Sequence, residues 1–271
     1  MGWGGIYFSK YGSDLSTLSY CRISNSIIGG LLVDSVCPTI NHTHICGCSN
    51  PSGGGALSLF NTDCFIENCV FEDNTAREEG GGIYIENSEV IIRNCLVNNN
   101  TSESKGGGIG ICNSAVQLDS ITCDNNQAVS GGGISLNGSN LESHICHVNH
   151  NRSNRYGGGI YIINSIVNIE DLHCNNNHSN SAGGGLYALD SPVSISSFQC
   201  NYNTADSAGG MYIVDSNVHL GFGTIDYNQG AHCIYCYNDS LNLINVASSH
   251  NSGNTNWWSV LYSINSRLFI Y

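Results

Sequence analysis

Cys37, His42, His44, Cys46 and Cys48 bring the ligand types that suit zinc into one short stretch. If that stretch is a strand, positions 42, 44, 46 and 48 share a face. Their i, i+2 spacing is not the Cys-x2–4-Cys spacing of structural zinc sites, so a disulfide or capping cluster is the stronger expectation and no cofactor is called for. Cys233-Ile234-Tyr235-Cys236 has the spacing of a redox pair. No helix N-terminus is expected there to lower a thiol pKa, which argues against a redox role.

The charge balance narrows the chemistry further. The 271 residues carry a net charge of −13, with only eight Lys and Arg. Those eight are scattered, so the basic footprint that nucleic acid requires is absent, and polyuronates are repelled. Hydrophobic residues make up 41% of the chain and charged residues 11%, which is enough apolar surface for a packed core. No run reaches the 18 or so apolar residues of a membrane helix. Met1-Gly2-Trp3-Gly4-Gly5-Ile6 shows no secretion signal, but the text opens and closes inside a repeat. A segment of a longer chain is therefore expected, with further coils or a partner beyond the strand-like Arg267–Tyr271.

The elements that position these residues come from the repeat. Gly-Gly-Gly-(Ile/Leu) recurs before Ile83, Ile109, Ile134, Ile160 and Leu186, with weaker copies before Leu31, Ala56 and Met211. An asparagine keeps the same step at 25, 50, 74, 100, 126, 151, 177, 203, 228 and 251. Ten and eight residues before each asparagine the chain is nearly always apolar, as in Val90/Ile92 and Val167/Ile169. Five and three before it lie Cys69/Phe71, Cys95/Val97 and Leu172/Cys174, and a third pair, such as Ile83/Ile85, follows the glycines. Period-2 alternation means strands with one buried face.

The expected fold is all-β: a right-handed parallel β-helix of about eleven coils, each 23 to 27 residues long with three short strands, in a single domain over 1–271. Residues 1–55 and 229–271 form its less regular ends. Like positions would then stack about 4.8 Å apart. Asn74, Asn100, Asn126, Asn151, Asn177, Asn203 and Asn228 would form an internal hydrogen-bonded ladder. Polar corners fall at Asn87-Ser88, Asn113-Ser114, Asn164-Ser165, Asp190-Ser191 and Asp215-Ser216. Outward-facing Glu67, Arg93, Asp119, His144 and Glu170 would alternate in charge along the rod.

The two phase markers resemble the Gly-Gly-Ala-(Ile/Leu/Val) and Phe-x-x-Asn repeats of the chlamydial polymorphic outer-membrane proteins. Phe71-Glu72-Asp73-Asn74 matches the second motif, while Cys123-Asp124-Asn125-Asn126, Cys174-Asn175-Asn176-Asn177 and Cys200-Asn201-Tyr202-Asn203 put cysteine first. The resemblance implies a surface-displayed adhesin. Asn61-Thr62-Asp63 is similar to a tripeptide of β-helical polygalacturonases, whose Asp-Asp, Gly-His-Gly and Arg-Ile-Lys elements are missing here.

Of the fourteen cysteines, Cys69 and Cys95 would stack on adjacent coils, as would Cys174 and Cys200, either as free thiols or as cross-coil disulfides. Several Asn-x-Ser/Thr sequons occur, and those at Asn151 and Asn177 fall on the ladder and should be inaccessible. The one surface feature suited to binding is an outward aromatic stripe of Tyr84, Tyr161, Tyr187, Tyr212 and Tyr235, extended by Tyr7 and Tyr262. The expected function is a non-enzymatic extracellular or cell-surface rod that contacts a glycan, a protein or neighbouring subunits. The alternative is a β-helical polysaccharide lyase or glycoside hydrolase, which fold alone does not license.

Overall fold

The computed structural model describes residues 3–9, 16–253 and 261–270, so Gly2 and Tyr271 lie outside the described residues. Glycine followed by two inward apolar residues nucleates the first sheet. Its eleven strands run in chain order from Ile6–Ser9 to Leu261–Ile264, so about ten turns of chain separate the first from the last. Every pairing is parallel, and Ile83, Ile109, Ile134, Ile160, Leu186 and Met211 stand one over the next. In the coil before them the sequence marked Ala56, but Leu57 pairs with Ile83. Ala56 occupies the third glycine's place and donates its N–H to the Gly82 carbonyl at 2.9 Å.

The glycines meet two distinct demands. Gly106 adopts φ +62°, which L side chains rarely take. Gly107 has an ordinary φ, but a Cβ there would lie 2.3 Å from the Gly132 carbonyl oxygen of the next coil.

The sequence suggested two further separate strands before each asparagine. They instead belong to one bent, 17-stranded parallel sheet. In the earlier coils a left-handed residue breaks it, as with Asn94 (φ 50°) between Glu89–Arg93 and Leu96–Asn98. That position is left-handed again at Asn245 (φ 53°), but in the four coils between it holds Ile145, Asp171, Ser197 and Phe222, none of which is left-handed. The two strands then fuse, as in Asn140–His147 and Ile166–His173, and the bend survives as two consecutive outward residues such as His144 and Ile145.

The third sheet lies after the asparagine, where the sequence suggested only a turn. Its six short strands run from Ser49–Asn50 to His178–Ser179. Most place a single small side chain inward, such as Ala76, Ser102 or Ser179, so they give no alternating signal. No helix occurs among the described residues. One continuous core runs from Ile23 to Leu243, and all the apolar pairs quoted above are buried in it.

Three polar columns close the corners. Asn74 to Asn228 are each at most 1% exposed. The Nδ2 of Asn126 donates to Asn151 Oδ1 at 3.1 Å and to the Val97 carbonyl at 2.8 Å, while the Asn126 backbone N–H donates to the same Oδ1 at 2.8 Å. That pattern repeats coil by coil and reaches Asn251. Asn25 and Asn50 do not belong to it, because Ser26 and Cys48 hold the aligned positions. Asn25 is the left-handed corner residue (φ 59°), and Asn50 turns back on its own loop to bond the Gly53 and Gly54 carbonyls.

At the second corner, serines form a ladder of their own. Ser114 N–H donates to Ser139 Oγ at 3.2 Å and Ser139 N–H to Ser165 Oγ at 3.1 Å, each after a left-handed Asn, Asp or Gly. A third column on the surface, including Asp124, Asn149, Asn175 and Asn201, was not anticipated. In it the backbone N–H of each coil donates to the side chain of the coil before, as Asn175 does to Asn149 at 3.0 Å.

Candidate binding faces

The outward positions of the first sheet carry the aromatic row. Tyr161, Tyr187, Tyr212, Tyr235 and Tyr262 lie on consecutive coils in register. Their ring centroids are 5.4, 5.3, 4.5 and 5.5 Å apart in that order, and the rings of the middle pairs are nearly parallel, at 3° and 6°. Stacking of this kind uses up ring faces and leaves edges and hydroxyls toward solvent. The row is less exposed than its outward register implies. Tyr161 is only 9% exposed, because the chain before the glycines folds over the sheet and lays Tyr156 against Tyr187 at 4.9 Å. Burial and the neighbouring phenols push the Tyr187 hydroxyl up to about 12.

Tyr84 does not join the row. Gly110 and Ser135 intervene, and Tyr84 packs edge-on against Phe60 at 5.7 Å. Tyr7 is 59% exposed at the other end of the sheet. A second aromatic stack went unnoticed in the sequence. Tyr202, Tyr227 and His250 occupy the left-handed corner beside the asparagine ladder and stack at 4.7 and 4.6 Å. The available signal was their place immediately before Asn203, Asn228 and Asn251.

The charged column on the bent sheet is a chain of close polar contacts that includes one Arg–Asp ion pair. Asp119 accepts from Arg93 Nε at 3.0 Å through one oxygen and faces His144 Nδ1 at 3.4 Å through the other. His144 Nε2 lies 3.6 Å from Glu170. Beside it is a shallow cleft of about 440 Å³ lined by Gln117, Glu142, His144, Asn168 and Glu170. Asn168 Nδ2 holds Glu142 at 2.9 Å.

The zinc-type residues are not brought together. Left-handed backbone at His42 (φ 45°) and Gly47 (φ 62°) breaks the alternation that would have aligned them. His42 stacks on Tyr20 at 4.6 Å, His44 pairs with Glu72 at 2.7 Å, Cys48 faces the core and Cys37 bonds the Asp63 carbonyl. Among the described residues no group of three or more His, Cys, Asp or Glu side chains is placed to hold a metal ion.

Cys233 and Cys236 are both buried, and burial pushes the Cys236 thiol up to about 12, so neither is poised as a thiolate. Asn61-Thr62-Asp63 is a corner: Asn61 is left-handed, and Thr62 takes the serine-ladder position and bonds the Val36 carbonyl.

A family model described as "Right handed beta helix region" matches residues 1–145. The chain belongs to that family. No curated protein and no solved structure matches it. The matched part of this β-helix ends at Ile145, the coil in which the left-handed corner of the bent sheet gives way to a fused strand. Beyond it the described residues 146–253 and 261–270 continue the parallel stacking, with the corner fused as far as Phe222 and left-handed again at Asn245.

Proposed function

We propose that this β-helix is a non-enzymatic binding rod displayed outside the cell, and that the tyrosine-lined edge of its first sheet meets a protein or glycan. The carrying observation is the unbroken row from Tyr161 to Tyr262, which offers aligned phenol edges and hydroxyls over five coils. Rigid aromatic anchors with a polar tip suit contact surfaces. The resemblance of the Gly-Gly-Gly-Ile and Cys-x-x-Asn phrases to chlamydial polymorphic outer-membrane protein repeats supports a surface-displayed role. Tests are capture on a glycan array and on host-type cells, with Tyr161, Tyr187 and Tyr212 replaced together by serine. Loss of capture with an unchanged circular dichroism spectrum is expected. Capture that survives in the folded triple variant refutes the assignment to this edge.

One observation favours a second reading, a polysaccharide hydrolase or lyase. The cleft beside Glu142, His144 and Glu170 holds carboxylates next to a histidine. Against it, Asp119 is engaged by both Arg93 and His144, and Glu142 by Asn168, so these groups stabilise one another. Release of reducing ends or unsaturated products from a polysaccharide panel, abolished by Glu142→Gln, would establish the enzyme.

A further inference from the structure

All fourteen cysteines carry free thiols in the structure, yet they are not equivalent. Two inward pairs stand in register on adjacent coils. Val70 pairs with Leu96, which puts Cys69 over Cys95, and the Cys95 sulfur lies 3.4 Å from the Cys69 backbone nitrogen. His173 pairs with Gln199, which puts Cys174 over Cys200. As free thiols, Cys69 Sγ donates to the Glu67 carbonyl at 3.2 Å, Cys95 Sγ to the Arg93 carbonyl at 3.1 Å and Cys174 Sγ to the Gly185 carbonyl at 3.4 Å. Neighbouring strands lie about 4.8 Å apart, inside the Cα separation of roughly 4.4–6.8 Å that a disulfide tolerates.

Two other buried cysteines serve as internal controls. Cys123 has Val97 on the coil before it, and Cys146 follows Ile121 in register. They belong to different columns, offset from one another along the strand as well as by one coil.

We propose that Cys69–Cys95 and Cys174–Cys200 are cross-coil disulfide sites, oxidised by a small-molecule disulfide as the coils dock. The two thiols of a pair lose two protons and two electrons and form one S–S bond. The oxidant's own S–S bond breaks and is reduced to two thiols. The first exchange forms a mixed disulfide on one cysteine of the pair, and the second thiol then displaces the small thiolate. Cys69, Cys95, Cys174 and Cys200 are each at most 1% exposed, so the exchange belongs to folding, before the core closes. Each bond staples one coil to the next across 26 residues of sequence. The export reading fixes only where this happens in the organism; the pairing itself stands without it.

The full chain would be reduced, refolded in a glutathione buffer of defined poise, alkylated and mapped by mass spectrometry. Peptides joined through Cys69–Cys95 and Cys174–Cys200 are expected, each lacking two hydrogens, with Cys123 and Cys146 alkylated. The urea midpoint should rise on oxidation in the parent chain and stay fixed in a Cys95→Ser, Cys200→Ser double variant. Full alkylation of all four residues overturns the proposal, as does a Cys200–Cys233 link or an unselective mixture that includes Cys123. Because the readout is chemical, its failure would leave the tyrosine-edge reading untouched, and failed ligand capture would leave the disulfides standing.

Discussion

Replacing Asn151 by alanine tests the interior ladder most directly. Its Oδ1 accepts the Asn126 backbone N–H at 2.8 Å and the Asn126 Nδ2 at 3.1 Å. Its Nδ2 donates to the Cys123 carbonyl at 2.9 Å and to Asn177 Oδ1 at 3.1 Å. Alanine leaves the Asn126 N–H buried without an acceptor, a loss of about 1–3 kcal/mol, and removes three further contacts and some packing volume. The sum is roughly 3–5 kcal/mol. Asn151→Asp keeps the shape but turns two donors into acceptors facing a carbonyl and an amide oxygen, and it buries a charge. It should cost at least as much as alanine.

The matched control is Asn175→Ala in the surface ladder. There the lost bond, from Asn201 N–H at 2.9 Å, is partly exposed and water can replace it, at a cost below about 1 kcal/mol. Urea unfolding followed by circular dichroism measures all three variants. If Asn151→Ala and Asn175→Ala shift the midpoint equally, or Asn151→Asp is neutral, the claim that buried amide pairing holds the coils in register is wrong.

Gly107→Ala should lose several kcal/mol or fail to accumulate folded, because its Cβ would meet the Gly132 carbonyl at 2.3 Å; a normal melting temperature would show that the coils can part there. Burial raises the Asp239 carboxyl from 3.8 to about 6, so the folded state binds this proton more tightly than the unfolded chain. Stability from this residue should therefore be greatest at low pH and fall as pH rises through roughly 4 to 6, by about 1–3 kcal/mol. Asp239→Ser, which restores the ladder residue, should flatten that dependence in melts across this pH range. Arg93→Ala should cost under about 1 kcal/mol and lose its effect in high salt, since the Arg93 side chain is 42% exposed; a large, salt-insensitive loss in the same unfolding assay would refute this.

The parts of this fold legible in the sequence were those in which one face is buried over several residues. Val90/Ile92 and Ile83/Ile85 announce strands because water lies on one side and a core on the other. The third sheet hid because Ala76 or Ser102 is its only inward side chain in a coil. The fusion of the two strands in the bent sheet turned on one residue per coil, Asn94 against Asp171 or Ile145, whose backbone preference shows only once register is known. Asn25 and Asn50 matched the ladder's spacing without occupying it, because neither is the residue aligned with Asn74. Of the candidate sites, the in-register tyrosines were readable from period alone. How deeply they are covered was not, because Tyr156 arrives from the loop before the glycines. The Cys/His segment failed for a local reason, a left-handed His42 that resets which side chains face together.

The interior amide column has a direction. Each asparagine holds its backbone N–H and one Nδ2 hydrogen toward the coil that follows, as Asn100 does toward Asn126 and Asn203 toward Asn228. A polypeptide made from its N-terminus thus always ends in a freshly wound turn whose donors await an oxygen that the next stretch supplies. The opposite side presents a different set, the amide oxygen and the other Nδ2 hydrogen, as Asn74 does toward the Cys48 N–H and the Ile45 carbonyl. The two ends of the column are therefore chemically unlike, one facing its neighbour with two donors and the other with an acceptor and one donor.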